Sequence, residues 1–296
     1  MTRTRRWPGE PLGRLAVIGV GQIGGSVALA ARAAGAVGEV VGWSRTPETA
    51  ARARALGVVD RAASSAAEAA RGAALVVLAT PVGSLGAAAS AIAPALDPEG
   101  IVMDVGSVKG AAIAAVEPLL PPGAFVACHP IAGTERAGPE SATAGLFEGR
   151  ACVLCPTTHS RPAAVATVQR LWTAMGAKVV TMEAGLHDRV LGAGSHLPHA
   201  AAYALAAALG GLPGEVQEGI RSLATTSLRD TTRIAASGPA MWRDIFVDNR
   251  AVMLPLIEAL KQQLEDLRAA LAAGDAAEVE AVLARGRAAR EALVGG

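Results

Sequence analysis

The chain has 296 residues, of which 51% are hydrophobic but only 3% are aromatic, and its formal net charge is +1. This length is enough for two domains of ordinary size, with cores built from Ala, Val, Leu and Ile. The near-neutral charge gives no general attraction to nucleic acid or to an anionic membrane, so we expect neither partner. The basic opening MTRTRRWPGE lacks the apolar region of a secretory signal, and no apolar run reaches about 18 residues. We therefore expect a cytoplasmic protein.

Strand-like and helix-like segments alternate along the chain up to Met182. The predicted strands, in chain order, are LAVIG, EVVGW, ALVVLATP, GIVMDVG, AFVACHP, ACVLC and AKVVTM. Because helix-length, alanine-rich segments separate them, we predict parallel βαβ units with helices on both faces of a doubly wound sheet. After Met182 the sequence pattern is helical throughout. We therefore predict an α/β domain over residues 12–182 and an all-helical domain over residues 183–296.

A glycine-rich turn follows the first predicted strand and opens the first predicted helix. Gly19, Gly21 and Gly24 form the pattern G-x-G-x-x-G. The first glycine permits a tight turn, the second lets a pyrophosphate approach the backbone, and the third lets helix and strand pack closely. The N–H groups at the helix start can bind the phosphates. The pattern predicts a Rossmann-type domain that binds a dinucleotide.

The end of the second predicted strand bears on which dinucleotide is bound. In VVGWSRTPE, Ser44 stands where an NAD-binding protein usually has Asp or Glu, and Arg45 follows with a guanidinium that can pair with a 2′-phosphate. An Arg45 that stacks on adenine instead would leave NAD usable. We predict NADP or NAD, with the balance toward NADP. The predicted cofactor-binding residues are Gly19, Gly21, Gln22, Ile23, Gly24, Ser44, Arg45, and Thr80 and Pro81 at the end of ALVVLATP.

Three further polar segments carry candidate chemistry. Ser107 lies at the turn of DVGSVKG, His129 ends the strand VACHP, and GSHLPH lies in the first long helix of the helical domain. Because the carboxyl ends of parallel strands share one edge of the sheet, we expect Ser107 and His129 to lie beside the cofactor. A capping serine and a structural core histidine are the alternatives. His196 and His199 share a helix face, but metal sites usually need a third protein ligand, so we predict no metal.

Three cysteines, Cys128, Cys152 and Cys155, argue against a disulfide framework. The C-x-x-C pair lies in a predicted strand rather than at a helix start. We interpret both as small core residues rather than a redox or metal site.

A stripe of apolar residues near the C-terminus predicts a helix that needs a partner helix. Its members recur at alternating spacings of four and three and are Met253, Ile257, Leu260, Leu264, Leu267 and Leu271. A bundle within the chain would cover this stripe. We favour a homodimer through the helical domain.

Taken together, the motifs resemble one family. GVGQIGGS, DVGSVKG, HPIAGTERAG, SHLPH and RDTTRIAASGPAMWRDI, in this order, resemble the prephenate/arogenate dehydrogenases of tyrosine biosynthesis, from Arg14 to the C-terminal helices. The resemblance implies oxidative decarboxylation of prephenate to 4-hydroxyphenylpyruvate, with hydride transfer to NAD(P)+. We expect no regulatory module after the helical domain, so any feedback by tyrosine would act at the active site.

The resemblance also implies roles for individual residues. His129 would be the catalytic histidine that contacts the ring 4-hydroxyl, and Ser107 would help to hold that hydroxyl and the nicotinamide. Arg233 would bind a substrate carboxylate, and Ser195 and His199 would be substrate-side residues of the helical domain. The positions expected to shape or gate the pocket are Glu135, Asp188, Asp230 and Trp242.

Three alternatives remain at this point. Arogenate, which carries an amino group in place of the side-chain ketone, is the nearest alternative substrate. A β-hydroxyacid or imine reductase of similar build often has a catalytic lysine in the first interdomain helix, where this chain has Gly194, Ser195, His196 and His199. A non-catalytic dinucleotide sensor would bind the cofactor without turnover.

Overall fold

The computed structural model describes residues 7–133, 136–223 and 225–295. One eight-stranded sheet has the order β3-β2-β1-β4-β5-β6-β7-β8. Its strands are β1 Arg14–Ile18, β2 Glu39–Trp43, β3 Arg61–Ala62, β4 Leu75–Leu78, β5 Ile101–Asp104, β6 Phe125–Pro130, β7 Ala151–Cys155 and β8 Lys178–Thr181. Seven of the eight correspond to predicted strands, and the two-residue β3 was not predicted, because two residues carry no periodicity.

The sheet is parallel from β3 through β6, but β7 runs antiparallel to β6, with His129 opposite Val153. β8 is parallel to β7. The prediction of a wholly parallel sheet is therefore wrong at this edge. A parallel return needs a crossover, usually a helix. Between β6 and β7 the described residues form only the short 3-10 turn Pro139–Ser141, so the chain returns antiparallel beside His129.

Helices cover both faces of the sheet, as the doubly wound pattern predicted. They are α1 Gln22–Ala33, α2 Pro47–Ala55, α3 Ala66–Ala70, α4 Leu85–Ile92, α5 Lys109–Val116 and α6 Pro162–Ala174. Along β1, Leu15 and Val17 belong to the core on one face, and Ala16 and Ile18 to the core on the other. A strand buried on both faces is the arrangement that a continuous apolar run indicates.

After β8 the described residues are helical or irregular. The elements are α7 Ala184–Leu191, a π-helical segment Gly192–His196, α8 Leu197–Gly210, α9 Gly214–Leu223, α10 Thr226–Thr232, a 3-10 helix Arg233–Ala236, α11 Pro239–Asp248, α12 Arg250–Ala273 and α13 Ala276–Val294. GSHLPH therefore spans the π-helical segment and the start of α8. Within the described ranges, no helix is long and apolar enough to cross a membrane.

The predicted apolar stripe lies on α12, which packs against α13. Met253, at its start, is buried. In contrast, Ile257, Leu264 and Leu271 are 36%, 60% and 62% exposed. Packing within the chain thus covers Met253, partly covers Leu260 and Leu267, and leaves the other three side chains of the stripe exposed.

Candidate active site

The glycine-rich turn between β1 and α1 has the geometry of a phosphate-binding loop. Gly19 has φ +106°, and a Cβ there would lie 2.4 Å from the Ala79 carbonyl oxygen. A Cβ on Gly24 would lie 2.1 Å from the Gly19 carbonyl oxygen, so neither position can hold a side chain. A Cβ on Gly21 would meet no atom of the described residues within 4 Å. The open space above Gly21 is where a pyrophosphate can approach the backbone.

Beside this turn, a cavity of about 340 Å³ lies at the carboxyl ends of β1, β2 and β4. It is lined by Gly19, Trp43, Ser44, Arg45, Thr46, Ala66, Ala79, Thr80, Pro81, Ser84, Ala87, Ala88 and Ala91. The Thr80 hydroxyl is buried and has no hydrogen-bond partner among the described residues, as expected of a group that contacts a ligand. Ser44 accepts a hydrogen bond from the Thr46 N–H at 3.3 Å, and Arg45 is exposed. These residues fit a nicotinamide dinucleotide.

His129 is the second-last residue of β6 and contacts a second histidine from the helical domain. Its Nδ1 lies 2.8 Å from Nε2 of His187, which is completely buried on α7. His187 Nδ1 in turn lies 2.8 Å from Oδ1 of Asp188. The two Asp188 oxygens accept hydrogen bonds from the backbone N–H groups of Lys109, at 2.7 Å, and Gly110, at 2.8 Å. A chain of three side chains therefore connects the end of β6 to the start of α5.

The surroundings of His129 keep its ring neutral. Burial is the main cause that holds the pKa of His129 well below 6.5, and the positive charge of Lys109 lowers it further. A neutral imidazole has one nitrogen lone pair that can accept a hydrogen bond. At neutral pH, His129 can thus serve as an acceptor without first losing a proton.

Under His129 lies a buried ion pair between Lys109 and Asp104. Lys109 Nζ also donates to the Cys128 carbonyl oxygen at 2.6 Å. Asp104 accepts from the backbone N–H groups of Cys128, at 2.9 Å, and Gly106, at 2.8 Å. Because these bonds join the ends of β5 and β6 to the start of α5, they fix the turn that carries Ser107 beside the strand that carries His129.

On the helical side, Asn249 joins two elements of the cluster. Its Nδ2 donates to the Asp188 carbonyl oxygen and to Nδ1 of His196, both at 3.0 Å. Burial is the main cause that lowers the pKa of His196 to about 4. His196 is therefore a neutral, hydrogen-bonded core histidine that helps to hold α7, the π-helical segment and α12 together.

His199 lies at the surface side of this core. Its ring is stacked on the buried Trp242, with 3.6 Å between ring centroids, and its Nδ1 donates to the Ser195 carbonyl oxygen at 2.9 Å. Because Nδ1 carries the proton, Nε2 of the neutral ring has a free lone pair. Burial lowers the pKa of His199, and the nearby charge of Arg233 lowers it further.

The remaining predicted residues lie in different settings. Arg233 and Asp230 are exposed, in the 3-10 helix Arg233–Ala236 and in α10. Asp188 is buried and contacts His187 and α5. Glu135 lies outside the described residues.

His187, Lys109 and Asn249 also belong to the site, although no sequence motif gave them a role. His187 and Asp188 are adjacent in sequence, and adjacent residues of a helix do not normally face each other, so no local spacing rule indicates their contact. The burial of Lys109 could likewise not be predicted from the sequence, because its partner Asp104 precedes the turn that brings the two side chains together.

All three cysteines are buried and free. Burial raises the pKa of the Cys155 thiol to about 12, so this thiol is not reactive at neutral pH. Nowhere in the described ranges do three or more His, Cys, Asp or Glu side chains cluster so as to hold a metal ion.

Comparison with known proteins gives the family. A family model of the prephenate dehydrogenase nucleotide-binding domain matches residues 27–181, and one of the prephenate dehydrogenase dimerization domain matches residues 183–285. The chain is 37% identical to cyclohexadienyl dehydrogenase of Zymomonas mobilis over 88% of this chain and 89% of that protein.

Two solved structures are similar along nearly the whole chain. One is prephenate dehydrogenase from Aquifex aeolicus in complex with hydroxyphenyl propionate and NAD+, with a TM-score of 0.88, 32% identity and coverage of 97% of this chain and 100% of that one. The other is Synechocystis arogenate dehydrogenase, with a TM-score of 0.78, 28% identity and coverage of 95% and 100%.

The fold and the site define an NAD(P)-dependent oxidoreductase with a Rossmann-type domain followed by a helical domain. The chain belongs to the prephenate dehydrogenase family. The resemblance drawn from the sequence motifs is thereby confirmed.

Proposed function

We propose that the protein catalyses the oxidative decarboxylation of prephenate to 4-hydroxyphenylpyruvate, with reduction of NAD(P)+, in tyrosine biosynthesis. One observation carries the proposal: a neutral histidine, His129, is the second-last residue of its strand at the carboxyl edge of a dinucleotide-binding sheet and is held there by the helical domain. Proteins similar to this chain include enzymes named for prephenate, cyclohexadienyl compounds and arogenate.

The chemistry explains why a neutral histidine belongs at this edge. In prephenate, loss of the ring carboxylate as CO2 and loss of hydride from the hydroxyl-bearing carbon together form an aromatic phenol. Because aromatisation supplies the driving force, the protein must align the substrate and place charge. His129 accepts the hydrogen bond of the hydroxyl while positive character builds on its carbon, and Ser107 holds the same hydroxyl. The nicotinamide ring, when bound, supplies the hydride acceptor.

Substrate binding is assigned to the helical side of the cleft. The charge of the exposed Arg233 guanidinium lowers the pKa of His199, and we assign both residues to the same anionic ligand. An Arg233 that binds the side-chain carboxylate leaves the ring carboxylate free to depart as CO2. We assign Ser195 and His199 to substrate contact. Glu135, Asp188, Asp230 and Trp242 are assigned to the shape or gating of the pocket.

For the cofactor, Ser44 and Arg45 favour NADP over NAD. Both line the cavity beside Gly19, and the described residues that line it include no carboxylate that would repel a 2′-phosphate. Arg45 is exposed and can turn toward a phosphate at this position.

The assembly we propose is a homodimer in which the exposed stripe of α12 meets its copy. Introducing charge with Leu264→Glu and Leu271→Glu should shift the protein from dimer to monomer in sedimentation equilibrium. Leu56→Glu is the matched control, because Leu56 is 51% exposed but belongs to the other domain. A monomeric wild type, or a double variant that stays dimeric, would rule out this interface.

Initial rates for prephenate and arogenate, each with NAD+ and NADP+, test the function directly. We expect the largest kcat/KM with prephenate, and the formation of 4-hydroxyphenylpyruvate and CO2 in equal amounts. A larger kcat/KM with arogenate makes the protein an arogenate dehydrogenase. Cofactor binding with no turnover of either substrate would overturn the proposal and favour a dinucleotide sensor.

A further inference from the structure

We propose that His187 and Asp188 are positioning residues that fix the tautomer of His129, so that its Nε2 always presents a lone pair to the substrate. The identity of the bound hydroxyl rests on the proposed function. The tautomer itself does not, because it follows from contacts within the protein.

Asp188 lies at the end of the hydrogen-bonded chain that is farthest from His129. Its carboxylate receives two backbone N–H groups from the start of α5, at 2.7 and 2.8 Å. Burial raises the pKa of Asp188, but the hydrogen bonds from His187, Lys109 and Gly110 outweigh burial, so its pKa lies below the ordinary value. An ionised carboxylate can only accept hydrogen bonds. The 2.8 Å contact with Asp188 Oδ1 therefore requires a proton on His187 Nδ1.

His187 is the middle residue of this hydrogen-bonded chain, and its side chain has no exposed surface. A neutral imidazole carries one N–H, so a proton on Nδ1 leaves Nε2 as an acceptor. Nε2 lies 2.8 Å from His129 Nδ1, which must then donate. Because the single N–H of neutral His129 is on Nδ1, its Nε2 carries the lone pair. Each tautomer in the chain is determined by the one before it, beginning at the carboxylate.

This device also links catalysis to the contact between the two domains. His129 belongs to the sheet, whereas His187 and Asp188 belong to α7, and Asp188 is held in turn by α5 and by Asn249. Without the helical domain, His129 would lose the acceptor that keeps its proton on Nδ1. Correct orientation of the catalytic ring therefore depends on domain docking, and not on β6 alone.

The test measures the tautomer before any activity. In wild-type protein labelled with ¹⁵N-histidine, without substrate, two-dimensional ¹H–¹⁵N spectra distinguish protonated from unprotonated ring nitrogens, and His129→Gln identifies the signals of His129. We expect a protonated Nδ1 and an unprotonated Nε2 on His129. A protonated Nε2 on His129, or a cationic His187, would overturn the proposal even if the His187 variants failed to fold.

Two substitutions at His187 then separate positioning from packing. His187→Leu removes the acceptor, and we expect kcat to fall about a hundredfold or more, within the range of general acid–base catalysis, while the His129 proton moves partly to Nε2. His187→Gln can offer its amide oxygen to His129 Nδ1 and should restore part of kcat and the wild-type tautomer. Equal losses in both variants, with an unchanged His129 spectrum, would contradict a positioning role.

His159→Asn is the matched control, because this histidine is exposed, lies in the loop between β7 and α6, and is paired with Glu117 rather than with the cluster. It should leave kcat and the His129 signals unchanged. A protein that shows the expected tautomer but turns over neither substrate would refute the proposed function alone. Turnover with the opposite tautomer would refute only the positioning proposal.

Discussion

The nucleotide cleft and the histidine cluster lie at the same edge of one sheet, but they are built differently. The cleft is made by backbone, and its decisive glycines lie within a few residues of one another. The cluster is made by side chains that are far apart in sequence: 58 positions separate His129 from His187, and 79 separate Lys109 from Asp188. The first needs side chains to be absent, whereas the second needs two domains to dock. A substitution that disrupts the nucleotide cleft should therefore leave the histidine cluster intact, and the reverse should also hold.

The largest difference between the effect on catalysis and the effect on cofactor binding is expected for His129→Ala. Loss of the acceptor should lower kcat by about 10³-fold, within the usual range for a general acid or base. Cofactor affinity should stay unchanged, because His129 does not line the cavity beside Gly19. Steady-state kinetics and cofactor titration by fluorescence measure the two effects. An unchanged kcat would place the chemistry elsewhere.

Cofactor binding in the nucleotide cleft can be weakened without disturbing the histidine cluster. Gly21 has φ −84°, which alanine also adopts, and there is open space for a Cβ, so Gly21→Ala should leave the melting temperature unchanged. The methyl group should nevertheless weaken cofactor binding about a hundredfold, by displacing roughly two charge-assisted hydrogen bonds of about 1.5 kcal/mol each. Gly24→Ala, whose Cβ would lie 2.1 Å from a carbonyl oxygen, should lower the melting temperature as well. Equal melting temperatures for the two variants would contradict this distinction.

Acid should act on the cluster through His196. Its pKa is about 4 in the folded protein, below its value of 6.5 in the unfolded chain, so the unfolded state binds more protons between these values. The free energy of unfolding should fall by about 3 kcal/mol as the pH drops from 6.5 to 4, and His129 adds to the fall. Urea titrations across this range measure it. His196→Gln should flatten the slope, and an unaltered slope would exclude His196 as its source.

The smallest effect concerns specificity within the cleft. Arg45→Ala should lower kcat/KM for NADP+ about tenfold, or about 1.4 kcal/mol, and leave that for NAD+ nearly unchanged. The effect is modest because Arg45 is exposed and its charge is screened by solvent. Equal losses with both cofactors would indicate that Arg45 contacts adenine rather than a 2′-phosphate.

Particular residues show how far sequence reasoning reaches. Gly19 and Gly24 could be interpreted from spacing alone, because a strand–turn–helix unit is local and its steric demands fall on fixed positions. His129 could be placed at the correct edge, because strand ends in a doubly wound sheet share that edge. The antiparallel turn of β7 could not be predicted, because strand direction depends on the path of the connecting segment.

By itself, the sequence determined the order of strands and helices, the nucleotide-binding turn and the family, since each of these depends on short-range periodicity or on motifs. Only the tertiary structure decided that His187 contacts His129, that Asp188 contacts both His187 and the start of α5, and that Lys109 is buried against Asp104. The physical reason is that hydrogen-bond direction and burial arise when distant segments meet. A histidine's type can be recognised in the chain, but the position of its proton is set by its neighbours in space.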